Sequence, residues 1–157
     1  MSQLKYYAYP GWGPVGQKEL HYSQAVRIGD RIECSGQGTS PIIHHKVDQM
    51  LIDRRTGGWD PDLKTGAPEF PKDLNEEIDQ AFKNVDLCLR DAGGKGWSQV
   101  FRVMTYLLDI PASHDRIVEN YRKWMPDHCP IWTELGVKEL GAPDMRIEIE
   151  VVAYDPK

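Results

Sequence analysis

The chain of 157 residues is short of positive charge: 19 basic side chains stand against 24 acidic ones, a formal net charge of −5. General nucleic-acid and anionic-membrane binders need a net-positive face to displace counterions, so both classes are disfavoured. Long apolar runs are missing as well. None approaches the ~20 residues that span a bilayer. The opening Met1-Ser2-Gln3-Leu4-Lys5-Tyr6-Tyr7 has no apolar h-region, so no secretory signal is expected. Cysteine is scarce: Cys34, Cys88 and Cys129 are an odd number, widely spaced and without a CxxC pair. That usage fits reduced thiols and a cytoplasmic location. No GxGxxG, P-loop, HExxH or GxSxG pattern occurs, which disfavours dinucleotide, NTPase, zincin and α/β-hydrolase chemistry.

What is present suits one globular domain spanning 1–157. A chain near 150 residues argues for a single domain, and such a domain buries roughly 68–70% of its unfolded surface. Residues 1–20 are expected to form an ordered but irregular lead-in, with Tyr6, Tyr7, Tyr9 and Trp12 packing on the body. Pro10, Gly11, Gly13, Pro14 and Gly16 argue against a helix there. Gly29-Asp30 between the extended runs 22–28 and 31–36 predicts a hairpin with a two-residue type II′ turn. From 38 to 73, prolines and glycines dissolve the pattern, which marks an insertion or functional loop with a short element near 47–52.

The spacing of Ile78, Phe82, Val85, Leu89 and Ala92 predicts a helix over 75–92. Asp73 would cap it, Glu76 would return the capping box, and Gly93-Gly94 would provide its exit. Residues 97–109 read as a long strand. Phe101, Val103, Thr105 and Leu107 would face one way; Val100, Arg102, Met104, Tyr106 and Leu108 would face the other. Helices cover one face of an open sheet, so the second mostly apolar face asks for another sheet, in a homo-oligomer or closed barrel. Ser113 is the expected N-cap of a second helix running to Met125 and stopped by Pro126. Strands over 131–137 and 145–154 complete an α+β domain with two helices on one sheet face.

Several constellations bear on chemistry. His128 and Cys129 are adjacent, but neighbours in an extended turn point apart, so a nucleophile–base couple is disfavoured. His44-His45 lacks a third ligand at recognisable spacing, and no metal site is expected. Ser35-Gly36-Gln37 closes a strand with a glycine that lets backbone N–H groups approach a ligand. Glu150, on a late strand beside Val152, is either a half-buried general base acting on water or a structural carboxylate paired with Arg102 or Arg146.

Residues 22–37, Tyr-Ser-Gln-Ala-Val through Ile-Glu-Cys-Ser-Gly-Gln, resemble the opening of the Rid proteins (reactive intermediate deaminases, the YjgF/UK114 family). So do Ala81-Phe-Lys-Asn-Val, Leu89-Arg-Asp-Ala-Gly93, Val103-Met-Thr-Tyr-Leu-Leu-Asp109, Asn120-Tyr121 and Arg146-Ile-Glu-Ile-Glu-Val-Val-Ala153. The resemblance implies a chorismate-mutase-like fold, a homotrimeric barrel, and ligand clefts between subunits. It implies hydrolysis of imines or enamines without metal or organic cofactor. Carried over, Tyr22, Ser35, Gly36 and Asn120 would bind the ligand, with Thr133 beside them, and Glu150 would position or activate water.

One position departs from the family pattern. The arginine that clamps a substrate carboxylate bidentately is replaced by Trp132, within Pro130-Ile131-Trp132-Thr133-Glu134. Alternation puts Trp132 and Glu134 on one side. Loss of a buried charged partner costs roughly 3–5 kcal/mol, and Glu134 adds repulsion, so a 2-imino acid is expected to bind poorly. The expected ligand is a small neutral or cationic C=N compound stacked on Trp132, with Glu150 or Glu134 as base. Arg54, Arg55 and Arg102 are candidate replacement cations. The alternatives are a non-catalytic binding trimer and, further off, a ribonuclease, which the acidic balance opposes.

Overall fold

The computed structural model describes residues 4–10, 12–38 and 70–156. His44, His45, Arg54, Arg55 and the element expected near 47–52 lie outside the described residues. Strand β1 (Lys5–Tyr7), helix α1 (Trp12–Leu20), and strands β2 (Ala25–Ile28) and β3 (Arg31–Gln37) come first. Helix α2 (Leu74–Asp91), β4 (Val100–Leu107), α3 (Ile110–Trp124), β5 (Ile131–Gly136) and β6 (Ile147–Tyr154) follow. The six strands form one mixed sheet in the order β1-β2-β3-β6-β4-β5. Among the described residues the only parallel pairing is β4 with β5, as their α3 crossover requires.

The lead-in corrects the expectation for residues 1–20, because it contains both a strand and a helix. Pro14 falls in the first turn of α1, where its missing N–H costs no helical bond. The glycines serve close contact. A side chain on Gly13 would collide with Ala8 and the Gln24 amide, and one on Gly16 would meet the Tyr22 ring. Packing there outweighs the helix propensity that glycine lacks.

The hairpin forms as expected, with β2 antiparallel to β3 and Gly29 at φ 60°. Helix α2 also matches its pattern. The Asp73 carboxylate accepts from the Glu76 N–H at 3.0 Å, and Gly93 takes a left-handed φ of 82° at the exit. Ile78, Ala81, Phe82, Val85, Cys88 and Leu89 are buried under the sheet. Full burial of each larger apolar side chain is worth roughly 1.5–3 kcal/mol.

Two boundaries differ from the sequence pattern. Residues 96–99 form a 3₁₀ turn ahead of β4, which drives Trp97 into the core. Its indole donates to the Phe82 carbonyl at 2.9 Å and stacks on the Phe82 ring at 4.7 Å. A bulge between Val100 and Arg102 then turns Phe101 outward, so Val100, Val103, Thr105 and Leu107 form the helix-covered face. Asp109, rather than Ser113, caps α3, accepting from the Ala112 N–H at 3.0 Å. Asp109 precedes the Ile110-Pro111 start, and proline is favoured in a first helical turn.

Candidate functional site

Strand alternation sorts the candidate residues onto two sides of the sheet. Trp132 registers with Val103 and Glu134 with Thr105, both on the helix-covered face. Glu150 registers with Met104 and Glu148 with Tyr106, on the opposite face. Thr133 also registers with Met104 and shares that second face. The sheet therefore separates Glu150 from Glu134.

The second face carries a cleft of about 490 Å³, lined by Tyr106, Val137, Glu139, Leu140, Gly141, Glu148 and Glu150. Three of these side chains are carboxylates and none is cationic. The Tyr106 hydroxyl donates to Glu150 Oε2 at 3.1 Å. Burial pushes the Glu148 carboxyl above the usual range, and the neighbouring Glu150 charge pushes it further. Burial, the hydrogen bond to Glu150 and the two glutamate charges likewise hold the Tyr106 hydroxyl protonated to higher pH.

The Ser35-Gly36 segment lies behind one wall of this cleft, against Glu148, at a defect in strand pairing. Cys34 pairs with Val151 but Gln37 pairs with Ile149, so β3 carries one extra residue between those points. Such bulges leave the ladder unpaired and re-aim the chain locally. The Glu148 carboxyl lies against Gly36 so closely that any side chain there would overlap it. Ser35 does not point its hydroxyl away; it donates to the Gln24 carbonyl at 3.1 Å and accepts from the Gln37 amide at 3.3 Å.

The remaining candidates are engaged elsewhere. Tyr22 packs against Gly16 of α1. Asn120, buried in α3, donates to Asp79 Oδ1 at 2.8 Å and accepts from the Trp124 indole at 3.3 Å. Arg116 completes that bridge with a two-pronged ion pair to Asp79. Trp132 donates to Thr105 Oγ1 at 3.0 Å, with His114 stacked on its ring at 5.4 Å and Tyr121 edge-on at 5.0 Å. Glu134 holds His114 through Oε2 at 2.9 Å, while its Oε1 is buried without a hydrogen-bond partner. The Tyr121 hydroxyl is similarly unpartnered, and burial, aided by the Glu134 charge, raises its ionisation well beyond the ordinary value. Arg102 lies on the exposed side of β4 and donates to Met104 Sδ at 3.4 Å. His128 bonds the Val100 carbonyl at 2.7 Å, while the Cys129 thiol is exposed.

Glu148 is the residue that strand patterning overlooked. It alternates with Ile147 and Ile149 just as Glu150 does with its neighbours, so sequence alone ranks the two equally. The available signal was a side-chain-free residue across the sheet, at Gly36.

Residues 16–155 match the family model described as endoribonuclease L-PSP. This chain belongs to that family, the Rid or YjgF/UK114 proteins. A RutC family protein of Aquifex aeolicus (strain VF5) is 30% identical over 142 residues, covering 89% of this chain and 90% of that one. Among solved structures, the protein YJGH superposes with a TM-score of 0.71 at 22% identity, covering 99% of each chain. Rv2704 of Mycobacterium tuberculosis, a YjgF/YER057c/UK114 family member, gives 0.69 at 20% identity over 97% of this chain and 99% of that one. Both structural likenesses establish the Rid fold for this chain.

Proposed function

We propose that this Rid chain hydrolyses a small C=N compound without a carboxylate group, in the cleft lined by Glu148 and Glu150, where Glu148 is backed by Gly36 of the β3 bulge. The observation that carries the reading is the Glu148 carboxyl, seated against the Gly36 backbone, with its ionisation raised above the usual carboxylate range by burial and by the Glu150 charge. Two carboxyls in unequal environments divide the acid and base roles. Glu148, protonated, donates its proton to the imine nitrogen. Glu150, oriented by Tyr106, takes a proton from the attacking water as oxygen bonds to carbon. As the carbinolamine collapses, Glu150 passes its proton to the leaving nitrogen and Glu148 takes back the hydroxyl proton. The C–N bond breaks, leaving a carbonyl compound and ammonia or an amine, with both carboxyls restored.

Two features select the substrate. The lining carboxylates repel a second anion, and they favour a neutral or cationic imine. Trp132 stands where relatives are expected to hold a carboxylate-clamping arginine, so that cation is missing. The indole itself lies on the helix-covered face, packed by His114 and Tyr121, and does not line this cleft. The same carboxylates would repel RNA phosphates, which argues against ribonuclease action. The cleft lies on the face away from α2 and α3, and the edge strand β5 exposes Ile131 and Leu135. Three copies of the chain joined through that face would close the clefts between them.

Purified protein is tested against a panel of imines generated in situ, uncharged, cationic and carboxylate-bearing. Release of ammonia from uncharged or cationic members, lost in Glu148→Gln, is the expected result. Binding by thermal shift with no turnover in any member would overturn hydrolysis and leave a metabolite-binding trimer.

A further inference from the structure

We infer that Tyr9 and Gln37 are positioning residues that set the Gly36 backbone against Glu148 from the other side of the sheet; this rests on the cleft assigned above. Gln37 is buried on the helix side, and its amide donates to both the carbonyl (3.0 Å) and the hydroxyl (3.3 Å) of Ser35. A bulge exposes backbone groups that the ladder no longer pairs, and buried ones demand partners. Gln37 supplies that partner within the bulge itself. Its own orientation comes from Tyr9, whose hydroxyl donates to Gln37 Oε1 at 3.2 Å and shares a hydrogen bond with the Gln24 side chain.

A glutamine amide can turn over and exchange its oxygen and nitrogen. With Tyr9 donating, only one orientation presents N–H groups to Ser35. Burial raises the ionisation of the Tyr9 hydroxyl well above the ordinary tyrosine value, so it stays a donor throughout the working range. The chain of contacts therefore runs from the lead-in, through Gln37 and Ser35, to the glycine that crowds Glu148. The lead-in reaches the site without touching it.

The test uses the full chain carrying Tyr9→Phe, Gln37→Met, or both. Carbon-13 spectra follow the Glu148 carboxyl titration, and amide exchange is followed at Gly36 and within α2. The groups facing Glu148 in this experiment are Glu150 of the same strand, Tyr106 of β4 and Glu139 of the preceding loop. Expected for Tyr9→Phe are roughly tenfold faster exchange at Gly36, about one net hydrogen bond, unchanged exchange in α2, and a Glu148 midpoint lowered as water enters. The double variant should match Gln37→Met alone, since the two act in series. Should Gln37→Met fail to fold, Tyr9→Phe by itself decides. An unmoved Glu148 midpoint with unchanged Gly36 exchange overturns the inference, and so does an equal rise at Gly36 and in α2. These readouts need no substrate, so their failure is separable from failure of the hydrolytic reading. With an imine that turns over, kcat falls in Tyr9→Phe while KM stays.

Discussion

The Glu148 carboxyl occupies the space that a side chain on Gly36 would fill. Gly36 has no left-handed φ, so alanine there is opposed by this one contact and not by backbone strain. Gly36→Ala is expected to fold, at a cost of roughly 1–3 kcal/mol for overpacking, with the carboxyl displaced. Misplacement of about 1 Å can lower turnover roughly 100-fold. Denaturant melts and steady-state kinetics on an accepted imine check both parts; unchanged kcat would show that the contact has no catalytic weight.

Glu148 also sets a pH dependence of stability. Its folded ionisation is raised above the ordinary 4.5 by burial and by the Glu150 charge. The native state therefore holds this proton more tightly than the unfolded chain. The contribution is fully present below the unfolded value and is lost as pH rises through the folded one. Glu148→Gln is expected to abolish that loss and to be more stable than the parent at neutral pH. Glu150→Gln, by removing a repelling charge, should lower the Glu148 midpoint. Thermal melts from pH 4 to 8 measure the first expectation and carboxyl NMR the second.

The Asp79–Arg116–Asn120 bridge slopes the opposite way. Burial acts to raise the Asp79 carboxyl, but hydrogen bonds from Arg116 and Asn120 and the Arg116 charge outweigh it and leave it lowered. That stabilisation is present above the unfolded value and disappears as pH falls through the folded one. Asp79→Asn should flatten the acid side of the stability curve. Asn120→Ala should cost roughly 1–3 kcal/mol, because it strips a half-buried carboxylate and the Trp124 indole of a hydrogen-bond partner. If Asn120 instead serves only the ligand, its variant will melt like the parent and lose substrate affinity.

The Trp132 position tests the division of the sheet into two faces. Trp132→Arg would place a guanidinium on the strand face that carries Glu134, whose Oε1 is buried and unpartnered. That oxygen is expected to capture the new cation, so Trp132→Arg should melt higher than Trp132→Arg combined with Glu134→Gln. The sheet separates this face from the Glu148/Glu150 cleft, so turnover of an accepted imine should change little in either variant. Equal melting of the single and double variants would rule out the capture.

Part of the candidate site was legible because its residues carry local signatures. A strand-closing Ser35-Gly36 and an alternating Glu150 stand out in the string, and the family motifs around them agree. The division of β5 was not legible. Alternation correctly paired Trp132 with Glu134, but only the register with β4 places that pair under α3 and away from Glu150. The partners of Asn120, Asp79 and Trp124, were not legible either, because a polar residue in a helix gives no sign of what it bonds. The lead-in helix was hidden by glycines whose role, contact with Tyr22 and Gln24, lies outside their own segment.

By itself the sequence determined the elements whose periodicity is self-contained: the apolar stripe of α2, the Gly29-Asp30 turn, and the alternating closing strand. Those depend on spacing within a single segment, and spacing is written in the chain. Tertiary structure alone decided the two bulges, the face on which each candidate side chain lies, and the pairing of Glu148 with Gly36. One extra residue in a strand reverses every side chain beyond it, and the position of that residue is fixed by the partner strand it must match.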